Sequence, residues 1–366
     1  MKILIVGPDL TDPGGVANYY NAVLPSLYQT EYEISYLEIG STKSHSSRWH
    51  PFLDQLRFFS MVNKLKPNLV HLNPSLNLKS LVRDGLFLML AKLSRRRVLV
   101  FFRGWDTSFE KWIDRLLKPF FQISFKRADV FIVLAREFET RLRHWGVRAP
   151  ILLGTTTVNE NLLRDFSIDQ RLVDLAGDQR LKLLFLARLE QDKGVLELIE
   201  ALNILLDKGQ DLTLTIAGNG PIVQMVQKQV DAMGENRHRV SLLGYIRGED
   251  KSETFRTHHL FCFPTQYGEG MPNSLLEAMA FGLPIVTCPV GGIADFFQDG
   301  TMGSLLAKPT PERLAQAIMS LATDRPRLLD IAKYNFQYAN EHFMATTSAK
   351  FLAECYGKTL SHNRDT

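Results

Sequence analysis

Leu181-Lys182-Leu183-Leu184-Phe185-Leu186-Ala187 is a seven-residue, nearly unbroken apolar run, and Arg188-Leu189-Glu190-Gln191-Asp192-Lys193-Gly194 carries it into a helix-period segment. A run this short, apolar on consecutive positions, reads as a strand buried on both faces. The unit recurs at 212–217, 240–243, 260–263 and 284–287, each run followed by a helical pattern. Upstream, apolar runs at 3–6, 34–39, 69–72, 98–102, 130–134 and 151–153 form a first series. Strands alternating with helices predict parallel sheets covered on both sides. The fold class is therefore α/β, with two Rossmann-like β/α/β domains joined near residues 155–180. Loops at strand C-termini gather on one edge of each sheet, so the domains are expected to face each other across a ligand cleft. The expected boundaries are 1–165, 166–344 and a closing segment 345–366, a helix with a frayed tail that packs back toward the first domain.

Composition bounds the partners. With 45 % hydrophobic and 22 % charged residues over 366 positions, the chain can build two cores and is not disordered. No charged leader precedes the apolar start, and the longest greasy stretch, 86–91, is far short of a membrane span. Cys262, Cys288 and Cys355 are scattered, which excludes a disulfide framework or zinc site and suits a reducing, cytoplasmic setting. Residues 1–160 hold 22 basic against 14 acidic side chains, the remainder 21 against 25. A basic first half predicts an anionic partner: a membrane surface, a pyrophosphate-linked substrate or nucleic acid. No nucleic-acid module surrounds the charges, so nucleic acid is set aside. Arg95-Arg96-Arg97 is the densest basic cluster. The segment 109–127 reads as one amphipathic helix, and its stripe suits a membrane surface or a core face alike.

Four loops carry candidate chemistry. After the first strand, Gly14-Gly15 at a helix start allows backbone amides to approach an anion. Arg188 at a strand end and Lys193 at the next helix start suit a diphosphate. Gly218-Asn219-Gly220 again places small residues where a strand turns into a helix. The fourth loop is Tyr267-Gly268-Glu269-Gly270-Met271-Pro272-Asn273-Ser274, with Glu277 one turn into the helix that Asn273 or Ser274 opens. Two carboxylates at this spacing can grip vicinal hydroxyls, and a hydrolase pair is the rival use. No G-x-G-x-x-G is present, which weighs against a dehydrogenase.

The stretch 267–284 resembles the E-x7-E signature of the retaining glycosyltransferases of GT-B architecture, glycosyltransferase family 4 or "glycosyl transferases group 1". The order of Gly14-Gly15, Arg188 and Lys193, Gly218-Asn219-Gly220 and Val290-Gly291-Gly292 also matches, most clearly over 181–306. The resemblance implies a hexosyl transfer from a nucleotide diphosphate sugar, UDP or GDP, with retained configuration and no metal or other cofactor. It makes Arg188 and Lys193 the diphosphate ligands, Glu269 the holder of the transferred sugar and Glu277 the ribose ligand. Gly270, Met271, Asn273, Ser274, Gly218 and Gly220 complete the donor site, while Gly14 and Gly15 approach donor phosphate and acceptor. Many members carry a His where this chain has Arg103, which cannot serve as a base but can bond a hydroxyl or phosphate. The implied acceptor is a glycan or lipid-linked oligosaccharide of bacterial surface polysaccharide synthesis, reached in the cytoplasm at the inner membrane face. The alternative is a non-catalytic homologue that binds sugar nucleotides.

Overall fold

The computed structural model describes the chain except for Pro13, residues 41–49, Asp178, Gln179, Glu269 and residues 362–366. It divides into two compact units: Met1–Thr157 with Gly268–Met271 and Ala345–Thr366, and Val158–Tyr267 with Pro272–Met344.

The first unit contains β1 (Lys2–Gly7), β2 (Glu33–Glu38), β3 (Leu69–Leu72), β4 (Ser75–Leu76), β5 (Arg97–Phe101), β6 (Gly104–Trp105), β7 (Val130–Val133) and β8 (Ile151–Leu153). Six of these form a parallel sheet in the order β2-β1-β3-β5-β7-β8, and β4 pairs with β6 as a two-residue ladder. The second unit contains β9 (Leu181–Leu186), β10 (Leu212–Ala217), β11 (Val240–Gly244), β12 (Leu260–Phe263), β13 (Ile285–Thr287) and β14 (Gly303–Leu305). Its sheet is also parallel, in the order β11-β10-β9-β12-β13-β14. The central apolar runs became strands covered on both faces, every residue of β3, β7 and β12 being buried, while the outer strands β2, β8 and β11 are only partly covered. Fully burying a Leu, Val or Phe side chain contributes roughly 1.5–3 kcal/mol, so these short strands are held by packing more than by propensity. The two parallel-sheet α/β units are those the sequence predicts of the GT-B class.

In each sheet the chain builds outward on one side of its first strand and then returns to the other. The switch points fall between β1 and β3 and between β9 and β12, where the loops diverge and leave a crevice at the strand C-termini.

One expectation fails in detail. The segment read as one helix over 109–127 is broken into an α-helix at Thr107–Trp112, a wide π-turn at Ile113–Leu117, an α-helix at Lys118–Ile123 and a 3-10 turn at Phe125–Arg127. Pro119 supplies the reason, since it has no amide to offer the preceding turn and its ring crowds the carbonyl four residues back. Ile113, Phe121 and Phe125 are buried while Trp112, Leu116 and Ile123 are exposed, so only part of this stripe is a core face. The closing helix Ala345–Ser361 packs on the helix Gly15–Leu27 within the first unit. Among the described residues no helix is long and apolar enough to cross a membrane. The three cysteines are free and buried, and burial raises all three thiols, Cys288 and Cys355 to about 12.

Candidate functional site

The second unit brings its candidate residues to the β9/β12 switch point. After β9 the chain passes Arg188, makes a 3-10 turn at Gln191–Lys193 and enters the helix Val195–Asp207. Gly194 links turn to helix with φ +75°, and a Cβ there would stand 2.4 Å from the Pro264 carbonyl oxygen. Only glycine tolerates both conditions, so it lets the loops after β9 and β12 touch. The amides of Gln266 and Tyr267 donate to the Asp192 carbonyl at 2.7 and 3.2 Å and fasten them. Lys193 is consequently buried, its Nζ 4.3 Å from the Tyr267 ring centroid and 5.7 Å from that of Phe263. Arg188 differs: its side chain is 70 % exposed and reaches Glu190 at 3.2 Å. One cation is fixed against aromatic rings, and the other is free to swing onto a ligand.

Gly218 and Gly220 have a packing role that the sequence reading did not give them. Gly218 (φ +150°) lies so close to β9 that a Cβ would be 1.9 Å from the Ala187 carbonyl oxygen, and one on Gly220 would be 2.2 Å from that of Leu189. Their amides are already engaged, Gly218 donating to the Gly244 carbonyl and Gly220 to the Asn219 side chain. These glycines shape the edge rather than offering donors to an anion.

Pro272 caps the helix Asn273–Ala280, one residue ahead of the cap that the sequence suggests. The amides of Leu275 and Leu276 both turn back to the Pro272 carbonyl, leaving those of Asn273 and Ser274 without a partner inside the helix. Met271 is buried, and its carbonyl accepts from the Thr156 hydroxyl at 3.2 Å. Gly270 is confined as well, since a Cβ there would meet the Leu134 side chain at 3.0 Å. Glu269 lies outside the described residues. Glu277, predicted as a ligand for hydroxyls, is buried and faces Lys251, whose Nζ stands 2.7 and 2.6 Å from its two carboxylate oxygens. Lys251 belongs to the helix Gly248–Thr257 and had no sequence signal, because no motif links positions 26 residues apart. It neutralises Glu277 and holds it in one orientation.

The first unit presents its own group at the β1/β3 switch point. Gly14 caps the helix Gly15–Leu27 in extended backbone with open space where a Cβ would be. Tyr20 donates to Asn73 at 2.8 Å, and Asn73 donates to the Val6 carbonyl at 3.0 Å, tying the helix Gly15–Leu27 and the loop after β3 to β1. His71 stands between Tyr356 at 2.8 Å and Tyr20 at 3.4 Å, and burial lowers it to about 3, so it is neutral at pH 7. Arg103 follows β5, and its guanidinium carbon lies 3.8 Å from the Tyr19 ring centroid and 4.3 Å from that of Phe101. Its Nε and Nη1 are buried without a hydrogen-bond partner, and among the described residues no carboxylate pairs with it. Burial lowers the Arg103 guanidinium from its ordinary value, while the same burial raises Tyr19 to about 12. The π-faces compensate part of the lost hydration.

The sequence model of the family described as Glycosyl transferases group 1 matches residues 169–338. Alpha-D-kanosaminyltransferase of Streptomyces kanamyceticus is 30 % identical over 173 residues, 45 % of this chain and 44 % of that protein. The amylovoran biosynthesis glycosyltransferase AmsK of Erwinia amylovora is 26 % identical over 276 residues, 71 % and 65 % of the two chains. The chain thus spans less than two thirds of the length of these curated relatives. Among solved structures, Anabaena HepE in complex with UDP-glucose superposes with a TM-score of 0.72 at 18 % identity, covering 98 % of this chain and 100 % of that one. At that identity the likeness speaks for the fold.

Proposed function

We propose that this chain, which belongs to the family of glycosyl transferases group 1, moves a hexosyl unit from a nucleotide diphosphate sugar to a glycan or lipid-linked acceptor. The observation that carries the reading is the clustering of Arg188 and Lys193 with the Tyr267 loop at the β9/β12 switch point of the matched unit. That a structural neighbour is described with UDP-glucose supports a nucleotide-sugar donor, and UDP and GDP both remain open.

In this reading Arg188 folds onto the diphosphate and Lys193 holds it from a fixed position. Their charge stabilises the leaving group as it develops, which is the role a divalent metal has in other transferases. Glu277, oriented by Lys251, accepts from ribose hydroxyls through its free lone pairs. Glu269 binds the transferred sugar, and the amides of Asn273 and Ser274 at the helix start complete the donor site. Retention of configuration follows the family resemblance: the acceptor attacks the face the diphosphate leaves, and the departing phosphate takes its proton. Gly14, Gly15 and Arg103 serve the acceptor side. A relative named for capsular polysaccharide biosynthesis, CapM of Staphylococcus aureus, supports a bacterial cell-envelope acceptor met at the cytoplasmic membrane face.

The test is nucleoside diphosphate release across a panel of UDP- and GDP-sugars with membrane-lipid acceptors. Glu269→Ala and Arg188→Ala are each expected to abolish transfer at an unchanged unfolding midpoint. Full activity in both variants would overturn the assignment.

A further inference from the structure

Arg103 is a cation that its own surroundings do not neutralise. Its side chain is hydrogen-bonded to Tyr19 and lies against the rings of Tyr19 and Phe101, while Nε and Nη1 are buried without partners. Other arginines of the unit show the ordinary arrangement: Arg97 donates to the Thr359 carbonyl, and Arg143 to those of Val147 and Ala149. A guanidinium kept from water with two nitrogens unanswered costs free energy, and π-faces return only part of it.

The groups around it cannot take up the negative charge. Burial raises Tyr19 to about 12 and also raises Tyr20 and Tyr36, so all three are neutral hydroxyls at pH 7. His71 is neutral as well, lowered to about 3 by burial and by Arg103 itself. Asp9, in the loop after β1, accepts from the Thr11 amide and hydroxyl at 2.8 and 2.7 Å. Among the described residues no carboxylate pairs with Arg103.

The backbone here is held on both sides. The Arg103 amide donates to the Pro74 carbonyl at 2.9 Å, and the next two residues form the β4/β6 ladder, Ser75 beside Gly104 and Leu76 beside Trp105. Trp105 in turn stacks on Phe138 and Trp145. A two-residue ladder stabilises little on its own. Its effect is to fix the loop that carries Arg103 at the C-terminal end of β5, the strand next to the β1/β3 switch point. The residue as a whole is only half-buried, so a ligand at that sheet edge can reach it. A fixed cation among neutral aromatic groups is completed by an anion that a ligand brings. One guanidinium balances a monoanion, whereas the second unit brings two cations, Arg188 and Lys193, to the place read as the diphosphate site.

We propose that Arg103 binds the carboxylate of an acidic sugar, so that one of the two sugars joined in the transfer is a uronic acid. The inference rests on the transfer reading for what is joined, while binding of the carboxylate does not depend on turnover. A carboxylate offers two oxygens to the planar guanidinium and returns the site to neutrality, which a hydroxyl does not.

The test compares matched ligands that differ only at C6, carboxylate against hydroxymethyl. They are nucleotide sugars of the gluco, galacto and manno series as donors, and the corresponding methyl glycosides as acceptors. Equilibrium binding and turnover are both read, for the parent, Arg103→Met and Arg103→Lys. In at least one matched pair the parent is expected to bind the acidic member at least about tenfold more tightly, roughly 1.4 kcal/mol. Arg103→Met should bring the two members level, and Arg103→Lys should keep part of the preference. A preference among donors places the carboxylate on the transferred sugar, and one among acceptors places it on the receiving sugar. Should Arg103→Met fold poorly, Arg103→Gln is expected to level the pair in the same way. The proposal is overturned if the parent binds both members of every pair equally, or if sugar phosphates bind better than the uronates. It is also overturned if Arg103→Met weakens both members alike and leaves their ratio, as a merely structural arginine would. An acidic preference without turnover would remove the transfer reading and leave the carboxylate site standing. Turnover of neutral pairs as good as that of acidic ones would do the reverse.

Discussion

Replacing Lys251 with Met leaves the Glu277 carboxylate buried with no counter-charge, and the structure sets the size of the effect. Glu277 is 8 % and Lys251 20 % exposed at the side chain, and the ammonium touches both oxygens within 2.7 Å. Breaking such a pair from one side costs about 3–5 kcal/mol when both ions are desolvated. Lys251 keeps some water, so the lower end, about 3 kcal/mol, is expected. For a unit of this size that is a fall of roughly 6–12 °C in melting midpoint. The double variant Lys251→Met/Glu277→Gln removes the stranded charge and should recover most of the loss. The assay can separate the units. All four tryptophans, Trp49, Trp105, Trp112 and Trp145, precede residue 158, so fluorescence follows the first unit and far-ultraviolet dichroism follows both. The drop should appear in the dichroism and be smaller in the fluorescence. A Lys251→Met loss below about 0.5 kcal/mol, the range of ordinary surface changes, or a double variant as unstable as the sum of the singles, would refute the reasoning.

Two further outcomes follow from the first unit. Arg103→Met removes a guanidinium whose Nε and Nη1 are buried without partners, at the loss of its hydrogen bond to Tyr19, and keeps the apolar contact with Tyr19 and Phe101, so urea unfolding should show a first unit more stable by about 1 kcal/mol. Transfer by the same variant should be lost, and a destabilised first unit would count against this account of Arg103. His71 titrates at about 3 when folded against an ordinary 6.5, so between those values the unfolded chain holds the extra proton. Its stabilising contribution is complete above pH 6.5 and is lost as pH falls toward 3, about 2 kcal/mol by pH 5. Fluorescence-detected unfolding at pH 7.5 and 5 should show that loss in the parent and not in His71→Gln.

The sheets were legible because parallel strands are covered on both faces, which writes them as continuous apolar runs. Where a strand is too short to write such a run, the reading lapses. β14 has only Gly303, Ser304 and Leu305 to announce it, and β4 and β6 are two residues each. The helix over 109–127 had the right periodicity, but periodicity carries no information about the turn that Pro119 forces open. At the site, residue types at strand ends pointed to Arg188, Lys193 and Glu277. What those side chains touch was hidden, since it depends on partners distant in sequence. Lys251 is 26 positions from Glu277, and Tyr356 is 285 from His71. The arginine cluster shows the same limit: Arg95 is exposed while Arg97 donates to the Thr359 carbonyl, and charge density in sequence does not say which guanidinium the fold absorbs.

The strand-like contact between Val158 and Met344 has a consequence for how the chain is assembled. The Val158 amide donates to the Phe343 carbonyl at 2.8 Å, and residues 158 and 344 pair in parallel. The second unit therefore leaves the first and returns to it at adjacent points, as an insertion whose two ends meet. Such a module closes on itself and can fold while the ribosome is still working. The first unit cannot finish then, because the helix Ala345–Ser361 that covers Tyr32 and His71 is synthesised after the second unit. Translation order thus gives the matched unit precedence, and a helix made after it completes the core of the first.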